Sequence, residues 1–331
     1  MSPARLSLRS AGAALLVMAL AVASSAQSRA STLSEAHAAL QTGQADQALG
    51  LLAAMPSAGQ GDAQARNLAC RVEFVLGQWD AAAKDCQQAV LLDPGNSAYH
   101  MWLGRALGEK ADRASFLTAY SLGKRVLIEF QTAARLDPRN PEALSDLGEF
   151  YVEAPGMVGG GLDKAESVAQ ELDRIAPSRA AELRARIAED RRDFNTAEAE
   201  FKTAIAVSSH PALQWATLAR FYQQRKRFPE MDWAIQNCMS AASRDPHGSG
   251  VGLYDAAGVL IASGRNPELA AILLQDYVNG SSKSEEAPVF VAYYRLASLQ
   301  LKLGDAAAAQ QSRAAGFQLA RQYNPAQDLR H

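Results

Sequence analysis

The chain has 331 residues, of which 48% are hydrophobic, 21% charged and 7% aromatic. This composition suffices for a large buried core and excludes an intrinsically disordered chain. The apolar content rests on small residues more than on aromatic ones, which is typical of helices that pack closely. The formal net charge of −2 gives no electrostatic basis for binding nucleic acid, so no nucleic-acid partner is expected.

The N-terminus has the pattern of a secretory signal peptide. Arg5 and Arg9 precede an apolar run at 11–23, and small residues follow at 24–26. The run is shorter than the ~20 residues that cross a bilayer, so a permanent anchor is the less favoured alternative. We therefore expect a cleaved signal peptide at 1–26 and no membrane insertion afterwards. The mature protein should be soluble, in the periplasm or outside the cell.

A repeat of about 34 residues emerges when the rest of the chain is aligned on turn glycines and Asp-Pro breaks. Eight helical hairpins result, each with a helix A and a helix B. Close approach of two antiparallel helices requires a short side chain where they cross. The crossing positions on helix A are all small: Ala36, Cys70, Gly104, Gly148, Ala185, Ala219, Ala257 and Ala297. The facing positions on helix B are small in five of eight cases: Ala48, Ala82, Val126, Ala165, Ala197, Met231, Leu269 and Ala309.

These hairpins resemble the tetratricopeptide repeat (TPR) family, best of all in repeats two, three, four and six. The motifs that carry the resemblance are Trp215-x-x-Leu218-Ala219-x-x-Tyr222, Gly77-Gln78-Trp79-Asp80-Ala81-Ala82, Leu103-Gly104 and Leu147-Gly148-x-x-Tyr151. The resemblance implies an all-α fold, an α-solenoid of about eight TPR-like antiparallel hairpins in a right-handed superhelix. We place the solenoid at 31–321 and a C-terminal tail at 322–331. The segments 99–110 and 154–165 are similar to exported bacterial TPR proteins without an assigned activity.

Two inserts interrupt the regular spacing. About ten extra residues at 108–120 have a composition compatible with a helix and are expected to lengthen helix A of repeat three by nearly three turns. About five extra residues at 153–161 include three consecutive glycines, so this insert is expected to be a loop that projects from one rim. A phosphate-binding role for the loop is disfavoured, because it follows no strand and lacks a Gly-Lys-Ser/Thr ending.

The residue after each crossing position should face the inside of the superhelix. The candidate groove residues are Arg71, Arg105, Glu149, Arg186 and Arg220. A ladder of guanidinium groups would suit acidic peptides or a C-terminal carboxylate. The alternative is that each arginine pairs internally with a nearby carboxylate: Glu142, Glu149, Glu182, Glu189 or Asp190.

Further candidate contacts cluster around the two inserts. The residues considered for a rim or pocket are Tyr99, His100, Trp102, Glu109, Tyr151 and Met157. For His100 a packing role is favoured over a ligand contact. Neither a His-x-x-x-His nor a Cys-x-x-Cys pair is present, so we expect no metal and no cofactor. No nucleophile or acid–base pair has a spacing suited to catalysis, so no catalytic residues are assigned.

The three cysteines leave two alternatives open. Cys70 and Cys86 fall on facing helices of one hairpin, so a disulfide is expected in an oxidising compartment, unless both are ordinary core residues. Cys238 would remain unpaired.

The expected function is that of a non-enzymatic protein-protein interaction scaffold in the bacterial cell envelope, which binds a peptide or partner protein in its concave groove. Two alternatives remain. The first is an enzyme accessory or small-molecule-binding protein that uses the extended repeat three and the glycine loop as a pocket. The second is a self-assembling structural protein whose end hairpins stack. Neither the partner nor the oligomeric state follows from the sequence.

Overall fold

The computed structural model describes residues 27–55 and 61–325, and the predicted signal peptide at 1–26 lies outside this range. Within it, all regular structure is helical. None of the helices in these two stretches is long and apolar enough to span a bilayer. The first eight helices are α1 (27–41), α2 (Ala45–Ala53), α3 (Ala63–Val75), α4 (Trp79–Leu92), α5 (Ser97–Asp112), α6 (Phe116–Leu136), α7 (Pro141–Glu153) and α8 (Leu162–Leu172). The next eight are α9 (Pro177–Asp190), α10 (Phe194–Val207), α11 (Ala212–Gln224), α12 (Phe228–Arg244), α13 (Gly250–Ser263), α14 (Pro267–Asn279), α15 (Val289–Lys302) and α16 (Ala306–Leu319).

The sixteen helices of the two described stretches form the eight predicted hairpins, with helix A of each hairpin odd-numbered and helix B even-numbered. Side chains of Asp62, Asn96, Asn140 and Asn266 cap the helices that follow them, and Pro141, Pro177 and Pro267 begin helices where a free N–H is not needed. Capping residues and prolines in the sequence thus determine where these helices begin.

All eight predicted crossing residues lie on odd-numbered helices and are buried. A Cβ at Gly104 would overlap the Phe130 ring of α6, and one at Gly148 would overlap Leu183 of α9. The small residues therefore admit both the partner helix of the same hairpin and helix A of the next hairpin. The predicted geometric basis of the solenoid is confirmed.

One facing position was wrong by a single residue. Leu269 is only partly buried, whereas Ala270 has no exposed surface. Ala270 lies three residues after the first residue of α14, as Ala48 does in α2 and Ala82 does in α4. The helix starts, rather than the average repeat length, set this register.

We expected the first insert to lengthen only helix A of repeat three, and this prediction was wrong. Helix α5 ends at Asp112, and most of the extra length lies in α6, which has 21 residues. Arg113 folds back over the end of α5, where its Nη1 donates to the carbonyl and the carboxylate of Glu109 at 2.7 Å, and its guanidinium covers the Trp79 ring. This contact favours a turn after Asp112, so that the extra residues begin the next helix.

The second insert is a loop, as predicted, but it folds back instead of projecting from a rim. It contains a short 3₁₀ turn at Gly156–Val158, and the Gly161 N–H donates to the Tyr151 carbonyl at 2.8 Å. Val158 is buried and lies next to Gly123 of α6. The loop therefore closes one side of a cleft between α6 and α7.

The two ends of the solenoid pack against each other. Hairpins one and two share a continuous hydrophobic core with hairpins five to eight. The turn glycine Gly43 lies against Val289 of α15, the Arg321 N–H donates to Asp46, and Gln78 donates to Gln322 at 3.1 Å. We call this contact between hairpin eight and hairpins one and two the seam.

The structure differs from the predicted solenoid boundaries at both ends. Helix α1 already includes residue 27, four residues before the expected start of the solenoid. The expected tail at 322–331 begins too early, because Tyr323 is buried with its ring 4.9 Å from that of Phe290. Residues 326–331 lie outside the described range.

Cys70 and Cys86 form a disulfide between α3 and α4, with 5.2 Å between their Cα atoms. Cys238 is a buried free thiol, and burial raises its pKa to about 12. Cys238 is therefore an unreactive thiol in the core of α12, unpaired as expected from the sequence.

Substitution at two glycines of α5 tests the crossing geometry. Gly104→Ala should lower the free energy of unfolding by about 1–2 kcal/mol, because the new methyl group meets the Phe130 ring. Gly108→Ala, one turn further along, meets no atom within 4 Å and should raise stability by up to about 1 kcal/mol. Urea unfolding of both variants measures the difference, and equal effects would contradict the close crossing.

Thiol trapping of unreduced, denatured mature protein tests the disulfide. We expect one labelled cysteine per chain, Cys238, rising to three after reduction. Reduction should lower stability by roughly 3 kcal/mol, the value for a loop of about 15 residues. Three labelled cysteines before reduction would show that Cys70 and Cys86 are core thiols.

Candidate binding site on the inner face

Helices A line the inner face, and three of the four predicted groove arginines there are paired with carboxylates. Arg105 of α5 donates from Nε and Nη2 to Asp146 of α7 at 2.6 and 3.0 Å. Arg220 of α11 lies 3.1 Å from Asp255 of α13. Each ion pair joins helix A of one hairpin to helix A of the next, so these arginines stabilise the contact between neighbouring repeats.

Arg71 is engaged from the opposite end of the chain. Its guanidinium donates to both carboxylate oxygens of Glu285, which lies in the loop before α15, and Gln41 of α1 also donates to Glu285. The segment 284–286 therefore reaches across the inner face to the first repeats. It borders a cavity of about 400 Å³ together with residues of hairpins one to four. An acidic segment of the chain itself occupies the place where an acidic peptide was expected.

Arg186 of α9 is surrounded by several carboxylates. Burial opposes its charge, while Glu149, Glu182 and Glu189 favour it, so that its pKa is raised. Its Nε is buried without a hydrogen-bond partner among the described residues. Burial raises the pKa of Glu149 to about 7 and raises that of Glu182, although Arg186 opposes both shifts. Glu149 itself is exposed to solvent, with Asp146 and Glu153 of α7 and Arg186 and Glu182 of α9 as its charged neighbours.

The predicted ladder of available guanidinium groups is therefore not what the structure presents. The alternative of internal pairing describes Arg71, Arg105 and Arg220, whose carboxylate partners are all within hydrogen-bonding distance. Glu142 and Glu149, two of the partners anticipated from the sequence, lie near Arg105 and Arg186 respectively. The inner face carries alternating charge with an excess of carboxylates.

A cleft of about 520 Å³ opens beside Arg105, between α5, α6, α7 and the glycine loop. One wall is apolar and is contributed by α6, the loop and neighbouring aromatic residues, among them Phe74, Phe116, Tyr120, Val126, Phe130, Phe150, Met157 and Val158. The opposite walls, on α5 and α7, carry charged residues: Arg105, Glu109, Asp112, Asp146, Glu149 and Glu153. Both inserts are needed to form this cleft.

The candidate rim residues separate into three groups. Glu109 and Met157 line the cleft, and Met157 is 56% exposed. Trp102 is buried beneath the guanidinium groups of Arg71 and Arg105, at 5.3 and 4.7 Å from its ring centre.

The other three candidates belong to the core. Tyr99 is buried, and the Tyr151 hydroxyl accepts a hydrogen bond from Gln131 at 3.0 Å. His100 is buried, with Nδ1 2.7 Å from Glu129 and Nε2 3.0 Å from the Pro94 carbonyl. Its packing role is the one the structure supports.

Glu149 was among the predicted groove residues, but other residues of the cleft were not predicted from the sequence. Asp146 and Glu153 recur with Glu149 at helical spacing on one face of α7, and Phe116 and Tyr120 do so on α6. This periodicity was visible, but it does not reveal that the two faces meet across the glycine loop.

The raised carboxyl pKa values predict that the protein is more stable in mild acid than at neutral pH. Burial raises the pKa of Glu73, Glu149, Glu182 and Glu286. The folded protein then holds protons that the unfolded chain releases above about pH 4.3. The stabilisation is full below that pH and is lost as the pH rises through about 7 and about 8, the pKa values of Glu149 and Glu73.

Thermal melts between pH 5.5 and 8 measure this dependence. The midpoint should fall as the pH rises, and the double variant Glu149→Gln/Glu182→Gln should show a flatter slope. Burial raises the pKa of Glu198, but hydrogen bonds from Lys202, Arg227 and Tyr222 outweigh it and bring the pKa to about 2, outside this window. A midpoint that climbs with pH would contradict the assignment.

No family model matches the chain, and no curated protein matches it. Solved structures do resemble it. The crystal structure of a thermophilic TPR protein of Thermus thermophilus is 18% identical, with a TM-score of 0.50, over 58% of this chain and 97% of that one. A TPR protein from Parabacteroides merdae is 15% identical, with a TM-score of 0.44, over 83% of this chain and 99% of that one. At these identities the likeness concerns the fold, and the first match together with the eight hairpins confirms that the chain is an α-solenoid of the tetratricopeptide repeat type.

Proposed function

We propose that the chain is a non-enzymatic scaffold of the bacterial cell envelope that binds a segment of a partner protein, with the cleft between α5, α6 and α7 as the main contact. The TPR-like fold suggests a protein-interaction scaffold in general terms. The envelope location rests on the N-terminal signal-peptide pattern at 1–26 and on the disulfide, which suits an oxidising compartment.

The observation that carries the proposal is an apolar rim around the cleft. Phe116, Leu117 and Met157 are 71%, 79% and 56% exposed. Clustered exposed apolar side chains at a concave site mark an interaction surface on a folded protein. The rim extends beyond the cleft itself, so its shape favours an extended partner segment over a small molecule enclosed in the cleft.

The inner face and the seam also affect the three other functions considered from the sequence. An acidic or C-terminal carboxylate partner at the arginines remains a prediction, but internal pairing of Arg71, Arg105 and Arg220 weakens it. A small-molecule pocket is the second candidate, since 520 Å³ lies within the usual range for such sites. Stacking of end hairpins is disfavoured, because the end hairpins already contact each other along the seam.

Site-specific photocrosslinking tests the proposal. A photoreactive phenylalanine analogue at Tyr120, which lines the cleft, should yield an adduct to one linear segment of an envelope protein. The same analogue at Ile128 provides the control, because Ile128 lies on the same helix and is 59% exposed but does not line the cleft. Equal adducts at both positions, or none at Tyr120, would count against the cleft.

A cleft-filling variant provides the second arm of the test. Gly108 lines the cleft, and a side chain added there meets no atom within 4 Å, so Gly108→Leu should fill the cleft without unfolding the protein. It should abolish the Tyr120 adduct. Gly50→Leu is the matched control on α2, where a Cβ also meets nothing within 4 Å, and it should leave the adduct unchanged.

A further inference from the structure

The charges around the cleft are strongly unequal. Its lining contains five carboxylates and one guanidinium group. Asp146 is neutralised by Arg105, and Glu109 lies 2.7 Å from Arg113. Asp112, Glu149 and Glu153 have neither a hydrogen bond nor an ion pair within 4 Å among the residues that the structure describes. The unpaired charge in the cleft is therefore entirely negative.

Two of these three carboxylates also lie at helix positions that disfavour a negative charge. Asp112 is the last residue of α5 and Glu153 is the last residue of α7, so both stand at helix C-termini. Unsatisfied carbonyl groups make a helix C-terminus partly negative, and acidic side chains there are unfavourable. The two helix ends and their acidic side chains therefore all contribute negative potential to the cleft.

The apolar wall complements this acidic side. Phe116, Tyr120 and Met157 face the same cleft from α6 and the glycine loop. Aromatic rings bury an apolar group and also attract a nearby cation through their faces. A ligand with only one of these two properties would leave half of the cleft without a complementary partner.

We propose that the cleft selects a partner segment in which a lysine or arginine lies next to a large apolar side chain. The cation binds between the carboxylates of α5 and α7, and the apolar group packs on α6. The inference rests on the proposed function, because it names the chemistry of the segment that the cleft binds. It differs from the acidic partner that the groove arginines first suggested.

The ionisation of Glu149 supports this charge preference. Its neighbours are Asp146 and Glu153 on α7 itself, and Arg186 and Glu182 on α9, while Arg105, Glu109 and Asp112 face the cleft from α5. Burial and these like charges raise its pKa to about 7, with Arg186 opposing the shift. A bound cation favours the ionised carboxylate, so binding should strengthen as the pH rises from 6 to 8.

Selection from a phage-displayed library of random twelve-residue peptides, with the purified mature chain at pH 8, tests the proposal. Enriched peptides should pair Lys or Arg with Trp, Phe, Tyr or Leu at adjacent positions. Affinity of the best peptide is then measured by fluorescence anisotropy. Acetylation of its lysine, or replacement of its arginine by citrulline, should weaken binding by about tenfold or more, as expected for a lost charge-assisted contact.

Variants of the protein provide the reciprocal test. Glu149→Gln/Glu153→Gln should weaken the peptide by a similar factor and remove its pH dependence. Glu171→Gln/Glu268→Gln, which changes two exposed glutamates outside the cleft, should leave binding unchanged. Circular dichroism melts of both double variants confirm that each is folded.

The outcomes separate this inference from the proposed function. If the selected peptides are neutral or acidic and Gly108→Leu abolishes their binding, the cleft is a peptide site but the charge preference is wrong. Phenethylamine that binds as tightly as the best peptide would assign the cleft to a free amine instead of a protein segment. If Gly108→Leu weakens the binding of none of the selected peptides, both the charge preference and the proposed function are wrong.

Discussion

Eight buried small side chains set how closely each helix A approaches its neighbours, and the rest of the structure depends on this distance. At Gly104 the limiting neighbour is Phe130 within the hairpin, while at Gly148 it is Leu183 of the next hairpin. Regular close contacts of both kinds turn each hairpin relative to the last by a similar amount. Curvature then accumulates until hairpin eight meets hairpins one and two.

Electrostatics on the inner face follow from the same curvature. Because helices A converge inside the superhelix, charged residues one repeat apart come within hydrogen-bonding distance, as Arg105 and Asp146 do. The bidentate geometry of arginine suits such a bridge, since it fixes the orientation of both partners. Carboxylates outnumber arginines in the cleft at repeats three and four, and the surplus gives it its distinct chemistry.

The sequence was most informative about local features and least informative about contacts between distant repeats. Turn glycines, capping residues and the spacing of small residues are local, so the hairpins and their crossings could be predicted. The bond between Arg71 and Glu285 joins residues 214 positions apart and depends on curvature summed over several hairpins, which no local pattern encodes. The cleft escaped prediction for a related reason: the division of the first insert between α5 and α6 depends on the Arg113 contact.

Closure along the seam changes how this repeat protein should behave mechanically. In an open solenoid the terminal hairpins have one neighbour each and unravel first, which leaves the middle intact. Here hairpins one and eight each have a second neighbour, so loosening either end exposes the core of the other. A partner that must reach the interior therefore enters along the superhelix axis or parts the seam, and parting it releases the acidic segment at 284–286 from Arg71.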